Sequence, residues 1–240
     1  MKGKELASLI KFNESYAKFR KDLNRKETWE ESVDDVMSMH YNKFSKLDNW
    51  KDIEPYFEVA KTAYKNQKIL ASQRNLQFRE KHILKHNTRL FNCSSTYIDR
   101  PEVFKQALYI LLCGCGLGYS VEKRFVNKLP NLKKRNEVSH FVHVIDDTIE
   151  GWAIAADVLI HSYFNGAEKV LFDYSKIRNK GELIAGEFIA PGPDGLKKSL
   201  EAVEKLLDSK VLKDEFKLTP LNCHDIICHL ADAVLSGGKN

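Results

Sequence analysis

Proline and glycine are scarce, six and twelve in 240 residues, which excludes collagen-like and linker-dominated chains. No apolar run reaches about 18 residues, so no transmembrane helix is expected. The start, MKGKELASLIKFNESYAKFRK, has neither a long apolar core nor a small-residue cleavage site. It does not read as a secretory signal, and the expected compartment is the cytoplasm. Cysteine is confined to Cys93, Cys113, Cys115, Cys223 and Cys228. An odd count without a signal argues for reduced thiols and against a disulfide framework. Acid is the minority charge, 33 residues against 38 basic ones, and the imbalance is local. The stretch Lys123 to Arg135 holds six basic residues and no acid. It reads either as a solvated loop or as a site for phosphates on a nucleotide or nucleic acid.

What is present suffices for a large domain, or a core domain with a smaller lobe. At 43% hydrophobic and 30% charged the chain is too apolar for disorder and long enough to bury a core. Residues 1–66 read as helical and polar. Thr28-Trp29-Glu30-Glu31 predicts a capping box, and Val33, Val36, Met37, Tyr41 and Phe44 recur at helical spacing. A second helix is expected from Ile53 to Lys65, with Tyr56, Phe57, Ala60 and Tyr64 on one face.

From about residue 67 short strands alternate with helices. Pro101 opens a helix through Phe104, Leu108, Leu111 and Leu112, stopped by Gly114-Cys115-Gly116-Leu117-Gly118. Residues 139–146 alternate like a strand. A helix follows Asp147-Thr148, with Trp152, Ala156, Leu159, Ile160 and Tyr163 as its apolar face. Lys169 to Ile177 is a second strand, and helices follow over 194–208 and 220–236, the last ending on Gly237-Gly238. Such alternation predicts an α/β domain with parallel strands.

Several clusters could carry chemistry. Gly114-x-Gly116-x-Gly118 follows a helix and not a strand, so it is not a dinucleotide fingerprint. Its glycines mark either positive φ or close approach by another group, a ligand included. Cys223-His224 and Cys228-His229 lie on one helix, with the two cysteines about 500° apart at about 100° per residue. They face different ways and lack the spacing of a structural zinc pair, so no metal is expected. Asn92-Cys93-Ser94-Ser95 sets a thiol among small polar residues, suiting either a polar pocket or a buried structural cysteine. Asp146-Asp147 and Glu150 read as cap and dipole partners of the next helix. The Lys123–Arg135 stretch has little aromatic interleaving beyond Phe125, where single-strand nucleic-acid binders use stacking platforms; nucleic acid is the less favoured partner.

Taken in order, these segments resemble the large catalytic subunit of ribonucleotide reductase, most closely the adenosylcobalamin-dependent class. Leu70 to Leu76 (LASQRNL) is similar to the family's T-P-S-G-R-N-L segment. Asn92-Cys93-Ser94 resembles its first redox cysteine, and Gly114 to Ser120 (GCGLGYS) its G-x-G-x-G-x-S turn. Val144 to Trp152 (VIDDTIEGW) resembles I-x-D-S-x-E-G-W. Phe172-Asp173-Tyr174-Ser175 with Arg178 and Gly181 resembles Y-D-F-S-x-x-R-x-x-G. Gly186 to Leu196 resembles G-G-x-A-S-G-P-x-P-L, and Cys223 to Gly238 the C-H-D-I-x-x-H-I-x-D-A-V-x-x-G-G helix. The likeness covers about residues 67–238 in order and spacing. Residues 1–66 fit the family's helical cap by position alone. Departures are Ala71 for Pro, Gln73 for Gly, Thr148 for Ser, and Glu187 to Ala190 in the glycine-serine loop. The N-x-C-x-E finger loop with its radical cysteine, the second redox cysteine and the C-terminal cysteine pair have no counterpart here.

The resemblance implies an N-terminal helical cap (1–66) followed by the first half of a ten-stranded α/β reductase barrel (67–240). It implies thiyl-radical reduction of ribonucleotides, with Cys93 as one of the two reducing cysteines. Ser72, Ser94, Gly116 and Gly118 would bind substrate, while Asp99, Arg124 and Lys128 would bind a deoxynucleotide effector. Adenosylcobalamin would serve the assembled enzyme through contacts mostly outside these residues. The expected partner is a separate chain carrying the other half of the barrel, as in a split reductase inactive by itself, and the assembled enzyme could form a homodimer. The competing expectation is a non-catalytic nucleotide-binding remnant.

Overall fold

The computed structural model describes residues 3–184 and 188–235. They form two compact units, residues 1–92 and 93–240.

The first unit is built from α1 (Gly3–Ser15), a two-residue hairpin of β1 (Phe19–Arg20) and β2 (Arg25–Lys26), then α2 (Trp29–Phe44), α3 (Trp50–Lys65) and α4 (Arg74–Lys85). The expected capping box opens α2. Thr28 Oγ1 accepts from the Glu31 N–H at 3.2 Å, and the Glu31 carboxylate accepts from the Thr28 N–H at 2.8 Å. Val33, Val36 and Met37 of α2 meet Tyr64 of α3 and Leu76 of α4 in a small core. The apolar stripes expected from spacing are narrower than read: Tyr41 and Phe44 are exposed, and Tyr56 is 77% exposed while Tyr64 is buried. Because α4 packs on α2, the compact unit extends past the change of texture at residue 67.

The second unit carries the α/β pattern. Its elements are β3 (Cys93–Tyr97), α5 (Glu102–Leu112), β4 (Gly116–Ser120), α6 (Lys123–Val126), β5 (Asn136–Val144), α7 (Ile149–Asn165), β6 (Glu168–Asp173), β7 (Leu183–Ile184), β8 (Phe188–Ile189), α8 (Asp194–Leu212) and α9 (Pro220–Leu235). Strands β3 and β4 pair in parallel through the crossover α5, and β5 and β6 in parallel through α7. These are two βαβ units, as strand–helix alternation requires. Phe104 and Leu108 of α5, Leu159, Ile160 and Tyr163 of α7, Leu196 and Leu200 of α8 and Ile226 of α9 share one core and are almost fully buried.

Local chemistry sets the boundaries. Helix α5 stops where Gly114 takes φ +77°, a left-handed turn that favours glycine; Gly116 and Gly118 then lie in strand β4, not in a turn. Thr148 Oγ1 accepts from the Gly151 N–H at 2.9 Å and caps α7, so the cap is Thr148 and not the neighbouring acids. Strand β6 ends at Asp173, short of Ile177, because the Asp173 carboxylate accepts from the Ser175 N–H at 2.8 Å and turns the chain. Helix α8 runs beyond 208 to Leu212. Gly186 and Glu187 of the glycine-serine loop and the terminal Gly237-Gly238 lie outside the described residues.

Candidate functional site

The parallel pairing of β3 and β4 decides which residues share a surface. Cys93 lies opposite Gly116, Ser95 opposite Gly118, and Tyr97 opposite Ser120. Side chains alternate along each strand. One face therefore presents Cys93, Ser95, Tyr97, Gly116 and Gly118, and the first three of these and both glycines are exposed. The other face carries Leu117 and Tyr119, which pack against the core. Cys93 is thus an exposed thiol on a face where β4 offers the bare backbone of Gly116 and Gly118. A Cβ added at Gly118 would meet nothing nearer than the Ser94 carbonyl oxygen, at 3.8 Å. The chain's own atoms do not demand glycine there.

The other predicted residues divide. Ser94 points away from the Cys93 face: its hydroxyl donates to the Gly116 carbonyl at 3.3 Å and lies 3.7 Å from the Cys115 thiol. Ser72 belongs to the first unit, where its exposed hydroxyl donates to the Leu90 carbonyl at 2.9 Å; Cys93 belongs to the second. Arg124 and Lys128 come together over the Phe125 ring, 4.7 Å and 5.6 Å from its centroid. Phe125 stacks on Tyr97 with centroids 4.4 Å apart. The basic segment and the end of β3 therefore share a cationic aromatic platform. Asp99 follows that strand end and pairs with Arg100 at 2.7 Å.

Three features escaped the sequence reading. The first is Tyr97, which pairs with an aromatic far along the chain. The second is Arg135. Its guanidinium is buried against the Tyr163 ring, 4.1 Å from the centroid, and reaches Glu204 at 2.9 Å and Asp208 at 3.2 Å. One of the six basic residues of the local run is therefore a core residue, and Lys134 pairs with Asp214 at 2.9 Å. The third is a contact between β4 and α9: the Tyr119 hydroxyl lies 2.7 Å from His224 Nδ1. No local signal announces any of them.

The remaining cysteines behave as their environments dictate. Cys113, Cys115 and Cys223 are buried while Cys228 is exposed, the divergence expected from their helical angles. Burial pushes the Cys223 thiol up to about 12, leaving it protonated and inert. Asp146 pairs with Lys176 at 2.8 Å and Asp147 with Arg178. Hydrogen bonding to Lys176 and its charge hold the Asp146 carboxyl below its ordinary value, so Asp146 is not poised as a proton donor. Among the described residues no group of three or more His, Cys, Asp or Glu is placed to hold a metal ion, and no helix is long and apolar enough to cross a membrane.

The second unit thus presents an exposed thiol at the head of a parallel strand, opposite a glycine of its neighbour, within serial βαβ units. The fold match is specific: a crystal structure of a B12-dependent (class II) ribonucleotide reductase superposes with a TM-score of 0.81 at 21% identity, over 96% of this chain and 40% of that one. The fold is accordingly the helical region and the first part of the α/β barrel of that class. In sequence the chain resembles the N-terminal portion of adenosylcobalamin-dependent ribonucleoside-triphosphate reductases. It is 25% identical to that of Lactobacillus gasseri over 95% of this chain and 39% of the relative, and 24% identical to that of Lacticaseibacillus paracasei over the same shares. A Mycobacterium phage D29 protein assigned to the same enzymes is 26% identical over 95% of this chain and 38% of its own. The chain thus spans about two fifths of the length of the curated relatives it matches. No family model matches.

Proposed function

We propose that these residues form the N-terminal part of a ribonucleotide reductase and supply one of its two reducing thiols. The observation that carries this is Cys93, exposed at the start of β3 and opposite Gly116. A sugar lying along β4 meets backbone at Gly116 and Gly118 instead of side chains, which brings its ring within reach of the thiol. In such a reduction the 2′-hydroxyl leaves as water and two thiols become a disulfide. Cys93 is one of them; the other, with the thiyl-radical cysteine, belongs to barrel residues not among these 240. These residues and the remaining barrel together reduce ribonucleotides, which neither part is expected to reduce alone. The β5–β6 pair fits that reading, since Phe141, Val142, Val144 and Leu171 stand 40–55% exposed on a two-stranded sheet, which is marginal by itself.

Ser72, in the first unit, takes a substrate phosphate in this reading. The Tyr97–Phe125 platform with Arg124, Lys128 and Asp99 takes a deoxynucleotide effector: the base stacks on the aromatics, the cations meet the phosphates, and the carboxylate accepts from a sugar hydroxyl.

Adenosylcobalamin, in this reading, contacts mostly residues outside this chain. The cleft lined by Pro101, Glu102, Pro130, Lys133, His161 and Phe164 has a volume of about 560 Å³, smaller than a corrin with its adenosyl group, and no described cluster offers cobalt a ligand set. The cofactor would supply the radical from contacts mostly outside this chain.

The test is reconstitution. The chain is combined with a separately expressed polypeptide carrying the remaining barrel, adenosylcobalamin and a dithiol, and deoxyribonucleotide is measured. Turnover is expected only with both polypeptides and is expected to be lost in Cys93→Ser, while Cys113→Ala and Cys115→Ala keep most activity. Multiple turnovers by Cys93→Ser would refute the assignment.

A further inference from the structure

The Cys223-His224 and Cys228-His229 pairs have no part in the reductive chemistry above, yet the structure gives half of that motif a partner. His224 and Cys228 are one turn apart on α9. The Cys228 Sγ lies 3.5 Å from His224 Nε2, and the other ring nitrogen, Nδ1, lies 2.7 Å from the Tyr119 hydroxyl on β4. The Tyr119 and His224 rings are 5.9 Å apart. Cys228 is exposed, whereas Cys113, Cys115 and Cys223 are buried.

We propose that Cys228 is a nucleophilic thiol activated by His224 and held in line by Tyr119, and that it is a site of mixed-disulfide formation with low-molecular-weight disulfides. A thiol, a base within reach of it and a third group fixing the base make the arrangement of an activated nucleophile. Tyr119 sits at the junction of strand and helix, where burial first, and then the negative charges of Cys228 and Asp225, push its hydroxyl up to about 12. It therefore stays neutral across the physiological range, and in the proposed arrangement its oxygen accepts the Nδ1 proton of His224. That leaves the Nε2 lone pair facing the sulfur.

The step balances without a further reactant. Nε2 takes the thiol proton as the Cys228 sulfur attacks one sulfur of the external disulfide. A new S–S bond forms, the old one breaks, and its electron pair leaves on the departing thiolate, which takes the proton back from Nε2. Cys228 is oxidised to the mixed disulfide and the reagent is reduced to one thiol. Cys93, also exposed, has no imidazole within hydrogen-bonding reach among the described residues, so it serves as an internal reference.

The experiment treats the folded 240-residue chain with oxidised glutathione at neutral pH and follows each cysteine by peptide mapping. The adduct is expected first on Cys228, with Cys223 unmodified throughout as a check on folding. In His224→Ala the ratio of Cys228 to Cys93 modification is expected to fall at least about tenfold, the low end of what a positioned base contributes. Removing the ring also uncovers the sulfur, so if exposure alone governed reactivity the ratio would rise. In Tyr119→Phe it is expected to fall about threefold, through loss of the hydrogen bond that orients the base. If His224→Ala opens Cys223 to the reagent, His224→Gln decides by the same ratio. A ratio unchanged or raised in the folded His224 variant overturns the proposal.

Discussion

Arg135→Met separates a structural cation from a ligand-binding one within the same basic run. The wild-type guanidinium is 1% exposed and bonds to Glu204 and Asp208 at 2.9 and 3.2 Å. Tyr163 completes the cluster, its hydroxyl donating to Asp208 at 2.5 Å; burial and that bond hold the phenol well above its ordinary value, so it remains a donor. Breaking a fully buried ion pair typically costs about 3–5 kcal/mol. Here the two carboxylates are 24% and 39% exposed and regain water once the cation is gone, which lowers the loss to about 2–3 kcal/mol. The lost contact with the Tyr163 ring adds about 0.5–1 kcal/mol. A total near 3 kcal/mol corresponds to a fall in Tm of roughly 6–12 °C for a chain of this size. Thermal melting followed by circular dichroism measures it, beside calorimetric titration of dATP. Arg135→Met is expected to lower Tm by that amount and leave nucleotide affinity unchanged. The triple variant Arg135→Met, Glu204→Leu, Asp208→Leu is expected to recover most of the loss, since a buried ion cluster replaced as a unit leaves no stranded charge. A shift in Tm below about 2 °C, accompanied by weaker nucleotide binding, would refute the argument and return Arg135 to a phosphate site.

Three other outcomes are expected. Gly151→Ala puts a Cβ 2.2 Å from the Asp146 carbonyl oxygen, so it should destabilise the second unit by about 1–3 kcal/mol, read as a lower urea midpoint; Gly118→Ala, with 3.8 Å of room, should not. Asp99→Ala should weaken dATP or dTTP binding by about 10- to 150-fold, the worth of a charge-assisted contact, without abolishing basal turnover of the reconstituted enzyme; unchanged affinity and unchanged substrate preference would leave Asp99 as a partner of Arg100 alone. Glu31, hydrogen-bonded to Arg25 and to the Thr28 N–H, is held at about 2. A depressed carboxyl stabilises above its unfolded value and loses that contribution as pH falls from about 4.5 towards 2, so helicity lost in that window should depend less steeply on pH in Arg25→Ala.

Much of the fold was legible because its signals are local. Thr28 and Glu31 are three residues apart, and the capping box they promised is present. The apolar stripe from Trp152 to Tyr163 is buried as its spacing requires, and α/β alternation gives parallel pairs because each crossover helix returns the chain to the same end of its strand. Periodicity failed where a partner decides burial: Tyr56 has the spacing of a core residue but is 77% exposed, while its neighbour Phe57 packs against the small core. The three-glycine element was read as a turn because its first glycine is one; that the next two continue as a strand depends on pairing with Cys93 and Ser95, residues read separately.

The candidate site shows the same division more sharply. Cys93 could be picked from its small polar neighbours, but that Ser95 shares its face, while the hydroxyl of Ser94 bonds to the Gly116 carbonyl, follows only from strand register. Counting charge along Lys123 to Arg135 treats six cations alike. The fold sorts them by what comes from elsewhere: α8 brings Glu204 and Asp208 to Arg135, the turn after α8 brings Asp214 to Lys134, and β3 brings Tyr97 under Phe125, leaving Arg124 and Lys128 over that ring. This last pair combines exposure with an aromatic surface at hand. A positive run therefore predicts a phosphate site only after its buried members are subtracted, and here the subtraction removes Arg135, whose charge is met by Glu204 and Asp208.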